Sequence, residues 1–202
     1  MPLEPLTPER RREMTRSHLL EAAAEVFQEH GFHGATLDEV ARRAGFTKGA
    51  VYSNFKNKDD LFLAVMDDRI ERQFAVAAEV LESGSHDEAE QRSRVEELLH
   101  SRTFFWDEAR SALYLEFILY ARRNPDAAEK LRASIRRARQ MTVDLIDAET
   151  AAGGAPARRP HEQVALLSQA IFDGIGLLRL IDPSAVTDET MDTVLGFLYD
   201  SM

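Results

Sequence analysis

Cysteine is absent from this chain of 202 residues. That excludes a disulfide framework, a thiolate zinc site and a thiol redox switch. Glycine (10) and proline (7) are scarce, below average usages of about 7% and 5%. No run approaches the roughly 18 uncharged apolar residues of a membrane span, so no membrane partner is expected. Met1 to Arg16 is charged and lacks an apolar core, unlike a signal peptide. A cytoplasmic protein is expected. Catalytic signatures are missing too. The six histidines form no HExxH spacing, and no G-x-S-x-G, Walker loop or GxGxxG occurs. The expectation is a protein that is not an enzyme, with no metal and no cofactor.

What is present points to helices. Hydrophobic residues make up 44% and charged residues 30%, a globular composition. Ala (27) and Leu (22) far outnumber Val (11) and Ile (7). Ala and Leu favour helices, whereas β-branched residues favour strands. The expected fold class is all-α. The net charge of −10 is unevenly held: residues 1–58 carry nine basic and eight acidic side chains, leaving −11 for residues 59–202. Such a shift marks two modules with different partners.

Periodicity predicts about nine helices. The first runs from Pro8 to His30, with Gly31 as its C-cap. Thr36 caps a short helix with Glu39 at capping-box spacing, and Gly45 stops it. Thr47 caps a third helix to about Phe55, and a long fourth helix runs from Asn57-Lys58-Asp59-Asp60 to Leu81. A polar loop is expected at residues 83–90, then helical periodicity from Val95 to Arg123. Asn124-Pro125-Asp126 restarts a helix to about Glu149, since Asn caps, Pro suits the first position and Asp complements the dipole. Residues 151–160 read as a loop. Helices over His161–Ile181 and Thr187–Tyr199 complete the chain.

Residues 36–55 have helix-turn-helix spacing, in which the second helix enters the DNA major groove. The pattern extends further: Thr36-Leu37-x-x-Val40-Ala41-x-x-Ala44-Gly45-Phe46-Thr47-x-Gly49-x-Val51-Tyr52-x-x-Phe55-x-x-Lys58-x-x-Leu61. Over residues 16–66 it resembles the DNA-binding domain of the TetR family of bacterial regulators. Beyond residue 66 only helix order and length are similar. The expected organisation is a flexible basic arm (1–15), a helix-turn-helix domain (16–62) and an effector-binding and dimerisation domain (63–202).

Thr47 and Lys48 fall on the first turn of the recognition helix, where side chains and free N–H groups meet phosphates and base edges. Gly49 costs about 1 kcal/mol in a helix relative to Ala. Its expected use is close approach of the backbone to DNA. The resemblance implies phosphate contacts from Tyr52, Lys58 and Thr36. Arg42 and Arg43 either reach DNA or stay solvated. Asn54 departs from the histidine or tyrosine frequent among relatives and still offers a donor. Ala50 and Ser53 offer little for base reading, so shape readout is expected to contribute. Arg10, Arg11, Arg12 and Arg16 are either further phosphate contacts or a solvated terminus.

One helix-turn-helix buries little DNA surface, so a homodimer on a double-stranded, pseudo-palindromic operator is expected. Leu167, Ile171, Gly174 and Leu178, with Val194, Leu195 and Leu198, are the expected dimer seam, because these helices are apolar over more than one core-facing stripe. The resemblance implies a four-helix bundle across a two-fold axis, and an effector cavity in the second domain. Its candidate lining is Met66, Phe74, Phe104, Phe105, Trp106, Tyr114, Glu116, Phe117, Tyr120, Met141, Ile171 and Ile175. Each aromatic serves equally as core, and Glu116 either meets a cationic ligand or pairs with an arginine. The expected function is a repressor released by a small lipophilic effector. The alternative is a helical small-molecule receptor without operator binding.

Overall fold

The computed structural model describes residues 7–82, 108–151, 159–187, 189–191 and 193–194. Among the described residues there is no strand. The helices are α1 (Pro8–Gly34), α2 (Leu37–Ala44), α3 (Lys48–Asn54), α4 (Lys58–Glu82), α5 (Glu108–Ala121), α6 (Pro125–Ala151) and α7 (His161–Ile181), followed by a 3-10 turn (Pro183–Ala185). The all-α expectation holds. The loop expected at 83–90, the helical periodicity expected over 95–107 and most of the last expected helix lie outside the described residues.

Local chemistry sets the helix boundaries. Thr7 is extended, and its side chain accepts from the Arg10 N–H at 3.3 Å, with Pro8 in the first turn. Residues 8–15 are therefore the first turns of α1 and not the flexible arm expected there. Thr36 and Thr47 cap α2 and α3 by accepting from the N–H groups of Glu39 and Ala50, each at 3.2 Å. Gly45 closes α2 in the left-handed conformation at φ +73°, which only glycine adopts without cost. The Asn57 side chain accepts from the Asp60 N–H at 2.9 Å and so opens α4.

The chain forms two compact units, Met1–Asp68 with Glu116–Leu131, and Arg69–Leu115 with Arg132–Met202. Helices α4, α5 and α6 each pass from one unit to the other, so the division does not fall at the expected 62/63 boundary.

In the first unit, Leu19, Ala23, Val26 and Phe27 of α1 pack with Val40, Val51, Leu61 and Phe62, all fully buried. Fully burying a side chain of this kind contributes about 1.5–3 kcal/mol. Phe117 of α5 completes this core, stacked on Phe62 at 4.5 Å between ring centroids. Helix α1 does not end at Gly31 as expected. It breaks there, with φ +67° and ψ 173°, and makes one more turn through Phe32 before Ala35.

In the second unit, Gly176 of α7 lies against α5, where an added Cβ would sit 3.0 Å from the Ser111 Oγ. Arg139 of α6 donates twice to the Gln169 side chain of α7, at 3.0 and 3.2 Å. Ile175, Val186 and Met191 form a buried cluster with Ile171, Phe172 and Val194. By length and composition alone, the 21 residues of α7, with a mean hydropathy of 1.7, are long and apolar enough to cross a membrane. Glu162, Asp173 and Arg179 interrupt its apolar positions, so it holds no uncharged run of about 18 residues.

Gly31 tests the account of α1. Its φ and ψ belong to a region nearly restricted to glycine, where other residues cost about 1–3 kcal/mol. A Cβ there would also sit 3.0 Å from the Glu116 Oε2. Urea denaturation of Gly31→Ala is expected to show a loss of at least about 2 kcal/mol; unchanged stability would contradict this.

Candidate nucleic-acid interface

Helix α3 has two unlike faces. Val51 and the following Phe55 are buried, and Phe55 carries the Arg16 guanidinium over its ring at 4.7 Å. On the other side Tyr52 is 57% exposed, with exposed Lys48 and Gly49 in the preceding turn. More than half of this aromatic residue is thus left open to solvent. Gly49 is informative because the fold does not require it. A Cβ there would meet only the Thr47 Oγ1, at an ordinary 3.7 Å. Room for a side chain exists, and alanine would favour the helix.

Several cations expected at DNA are engaged within the protein. Lys48 forms an ion pair with Asp38 of α2. Both side chains are largely exposed, so the pair contributes little and exchanges readily. Arg43 is held more firmly. Its guanidinium donates twice to the Glu29 carboxylate, at 2.6 and 2.7 Å, and lies near Glu25 and Glu39. That hydrogen bonding holds the Glu29 carboxyl below the usual carboxylate range. Arg42 binds Glu39 in the same bidentate manner, at 2.5 and 3.0 Å. The Asn54 amide turns back to donate to the Ala50 carbonyl at 2.8 Å.

Lys58 is placed where sequence reasoning did not look. Its ammonium donates to the carbonyls of His33 and Ala35, both at 3.1 Å, and stands 4.7 Å over the Phe32 ring. Burial pushes its pKa below the ordinary lysine value. Lys58 thus closes the C-terminal end of the turn that follows the α1 break, satisfying carbonyls that a helix end leaves open.

The candidate effector residues are divided between the two units. Met66, Glu116, Phe117 and Tyr120 belong to the first. Phe117 and Tyr120 pack on Phe32 with centroids 4.9 and 4.8 Å away, and the Tyr120 hydroxyl donates to Asp59 at 3.4 Å. Glu116 accepts from the backbone N–H of Phe32 at 2.8 Å. The break at Gly31 presents this carboxylate with the Phe32 amide. Met66 and Phe117 are buried in the first unit, and Glu116 and Tyr120 are partly buried. Phe74, Tyr114, Met141, Ile171 and Ile175 belong to the second unit, while Phe104, Phe105 and Trp106 lie outside the described residues.

Of the expected seam, Leu167 and Leu178 are half exposed and Gly174 faces open space. Ile171 and Val194 pack instead against the cluster around Ile175. Leu195 and Leu198 lie outside the described residues. Leu166, Leu177 and Ile181 are also exposed on α7.

Lys58 is open to test without any ligand. Lys58→Met leaves the His33 and Ala35 carbonyls without their donor, and a loss of about 1–3 kcal/mol is expected from chemical denaturation. Unchanged stability would mean that the lysine serves solvent alone.

Residues 19–65 match the family model described as bacterial regulatory proteins of the tetR family. Residues 91–202 match the model described as the C-terminal part of BetI-type transcriptional repressors. The chain is 35% identical over 85 residues to the transcriptional activator FasR of Mycolicibacterium smegmatis, covering 42% of this chain and 39% of that protein. With the regulator UidR of Escherichia coli it shares 31% over 120 residues, 58% and 57% of the two chains. The matched segment therefore spans well under two thirds of these relatives' lengths. Three solved structures share the fold. A TetR-family regulator from Rhodococcus has TM-score 0.71 at 19% identity, over 94% of this chain and 99% of that one. A regulator from Saccharomonospora viridis in complex with choline has 0.63 at 18%, over 93% and 96%. The regulator FadR of Bacillus subtilis in complex with stearoyl-CoA has 0.63 at 16%, over 92% and 98%. With both halves of the chain matched by family models, and a capped helix-turn-helix exposing one face of α3, the chain belongs to the TetR family of DNA-binding transcriptional regulators and is not an enzyme.

Proposed function

We propose that this protein is a cytoplasmic, ligand-responsive repressor that binds a pseudo-palindromic operator as a homodimer and is released by a small lipophilic effector. The observation that carries the DNA-binding part is the outward face of α3. Tyr52 stands in water there while its neighbour Val51 is fully buried. Gly49, with room for a side chain that it lacks, lets a phosphate backbone approach the first turn of the helix. Thr36, Thr47 and Lys48 supply further hydroxyls and charge, and the exposed pair of Lys48 with Asp38 opens readily to a phosphate. Lys58 contributes by holding the turn that leads into α2, and Asn54 and Arg43 by bracing α2 and α3 rather than by reaching bases.

The dimer reading rests on α7. Leu167 and Leu178 lie half exposed beside the open Gly174, with Ile181 71% exposed on the same side. Large apolar side chains gathered on one helix face mark an interaction surface. A second copy of the same helix covers this face and sets two recognition helices about 34–36 Å apart.

For the effector, the second unit supplies Phe74, Tyr114, Met141, Ile171 and Ile175. Burial pushes the Tyr114 phenol well above its ordinary pKa, so it stays neutral and serves as a hydrogen-bonding group in apolar surroundings. Structural neighbours bound to choline and to stearoyl-CoA support a small-molecule effector. Effector and operator then oppose each other through one coupling free energy.

Selection of duplexes from random DNA by the purified protein tests this reading. A palindromic consensus bound by two copies of the chain is expected, with affinity falling steeply as salt rises. In the same assay Gly49→Ala is expected to fold at least as stably as the wild type and to bind the selected duplex at least tenfold more weakly. Recovery of no consensus, or an alanine variant that binds as well as the wild type, would contradict it.

A further inference from the structure

The break in α1 leaves a specific amide in need of a partner. In an unbroken helix the Phe32 N–H would donate to the carbonyl four residues earlier. Gly31, at φ +67° and ψ 173°, turns the chain away from that geometry. Phe32 is buried, 1% exposed, so water does not stand in. A buried donor without an acceptor costs about 1–3 kcal/mol. The acceptor that fills this place comes from 84 residues away, the Glu116 carboxylate at 2.8 Å.

The opposite end of the same turn is also held from outside. Lys58 of α4 takes the His33 and Ala35 carbonyls. One turn of backbone is thus gripped at its donor end by an acid from α5 and at its acceptor end by a base from α4. Its side chain is gripped as well, since the Phe32 ring packs against Phe62, Phe117 and Tyr120. Thr36, the next residue after the turn, caps α2, so the grip fixes where the chain enters the helix-turn-helix.

Resting on the DNA-binding reading above, we propose that Glu116 is a positioning residue for DNA recognition. Its carboxylate acts as the N-terminal cap of the turn at Phe32–Ala35 and holds α2 and α3 in the orientation that DNA requires. The residue touches no part of the outward face of α3, so its effect passes through the backbone. Glu116 is also the first residue of α5 that belongs to the first unit, Leu115 being the last that belongs to the second.

The test uses the full-length protein and the duplex that the wild type selects from random DNA. Dissociation constants are measured for the wild type, Glu116→Ala and Glu116→Gln, together with hydrogen exchange at the Phe32 amide. Glu116→Ala is expected to weaken binding at least tenfold and to speed exchange at Phe32. Glu116→Gln, whose amide oxygen still accepts, is expected to stay within threefold of the wild type. The dependence on salt should be the same for all three, because Glu116 contacts no phosphate. Where Glu116→Ala melts below the assay temperature, Glu116→Met, of similar length but without the acceptor, is measured in the cold with the same expectation. Either acceptor-less variant binding within twofold of the wild type would overturn the proposal, as would a glutamine variant no better than alanine. A wild type that selects no sequence would overturn the DNA-binding reading and this inference with it, whereas an alanine variant of unchanged affinity removes this inference alone.

Discussion

A helix break strips an amide of its partner, and a buried amide must find another. In this chain that amide is the N–H of Phe32, and much of the first unit is arranged around it. Gly31 creates the break, Glu116 supplies the acceptor, and Lys58 secures the carbonyls of His33 and Ala35, one and three residues further on. The ring of Phe32 meanwhile meets Phe62 and Phe117 edge-to-face and stacks beside Phe27, geometries worth about 0.5–1.5 kcal/mol per pair beyond burial. The backbone constraint and the aromatic packing act on the same residue. Helices α1, α4 and α5 are therefore tied at one point, directly before the capped Thr36 that begins the helix-turn-helix.

That arrangement separates holding from reading. Arg43 braces α2 against α1 through Glu29, and Val51 and Phe55 seat α3 in the core. Lys58 and Glu116 fix the entering chain. Little is left on the outward face of α3 except Lys48, Gly49 and Tyr52, which have room to meet a partner. The near balance of basic and acidic side chains in residues 1–58 has the same origin: many of these arginines and glutamates neutralise each other within the fold.

The sequence disclosed most where the physics is local. Thr36, Gly45 and Thr47 announce their helix ends through bonds that span three or four residues, and the structure places those ends as expected. The spacing of Val51 and Tyr52 on opposite faces of α3 was legible for the same reason. Gly31 was visible as an interruption, but whether it ends α1 or bends it depends on Glu116, which the sequence holds 84 residues away. Lys58 reads as a phosphate contact from the family resemblance, and its bonds to the His33 and Ala35 carbonyls were not legible because no side-chain pattern reveals backbone partners. Phe117 and Tyr120 stayed candidates for both a ligand pocket and the core, since aromatic periodicity is the same for a cavity wall and for a core. Arg43 was left open between groove and solvent, and its actual partner, Glu29, lies on another helix.

The central claim is that DNA is met by the outward face of α3 while the turn at Phe32 is only held. Amide hydrogen exchange across the chain, with and without the selected duplex, tests both halves at once. The account predicts new protection at the first turn of α3 around Lys48 and Gly49, and a Phe32 amide that is already slow in the free protein. Protection centred elsewhere, with α3 unchanged on binding, or a Phe32 amide that exchanges freely without DNA, would contradict it.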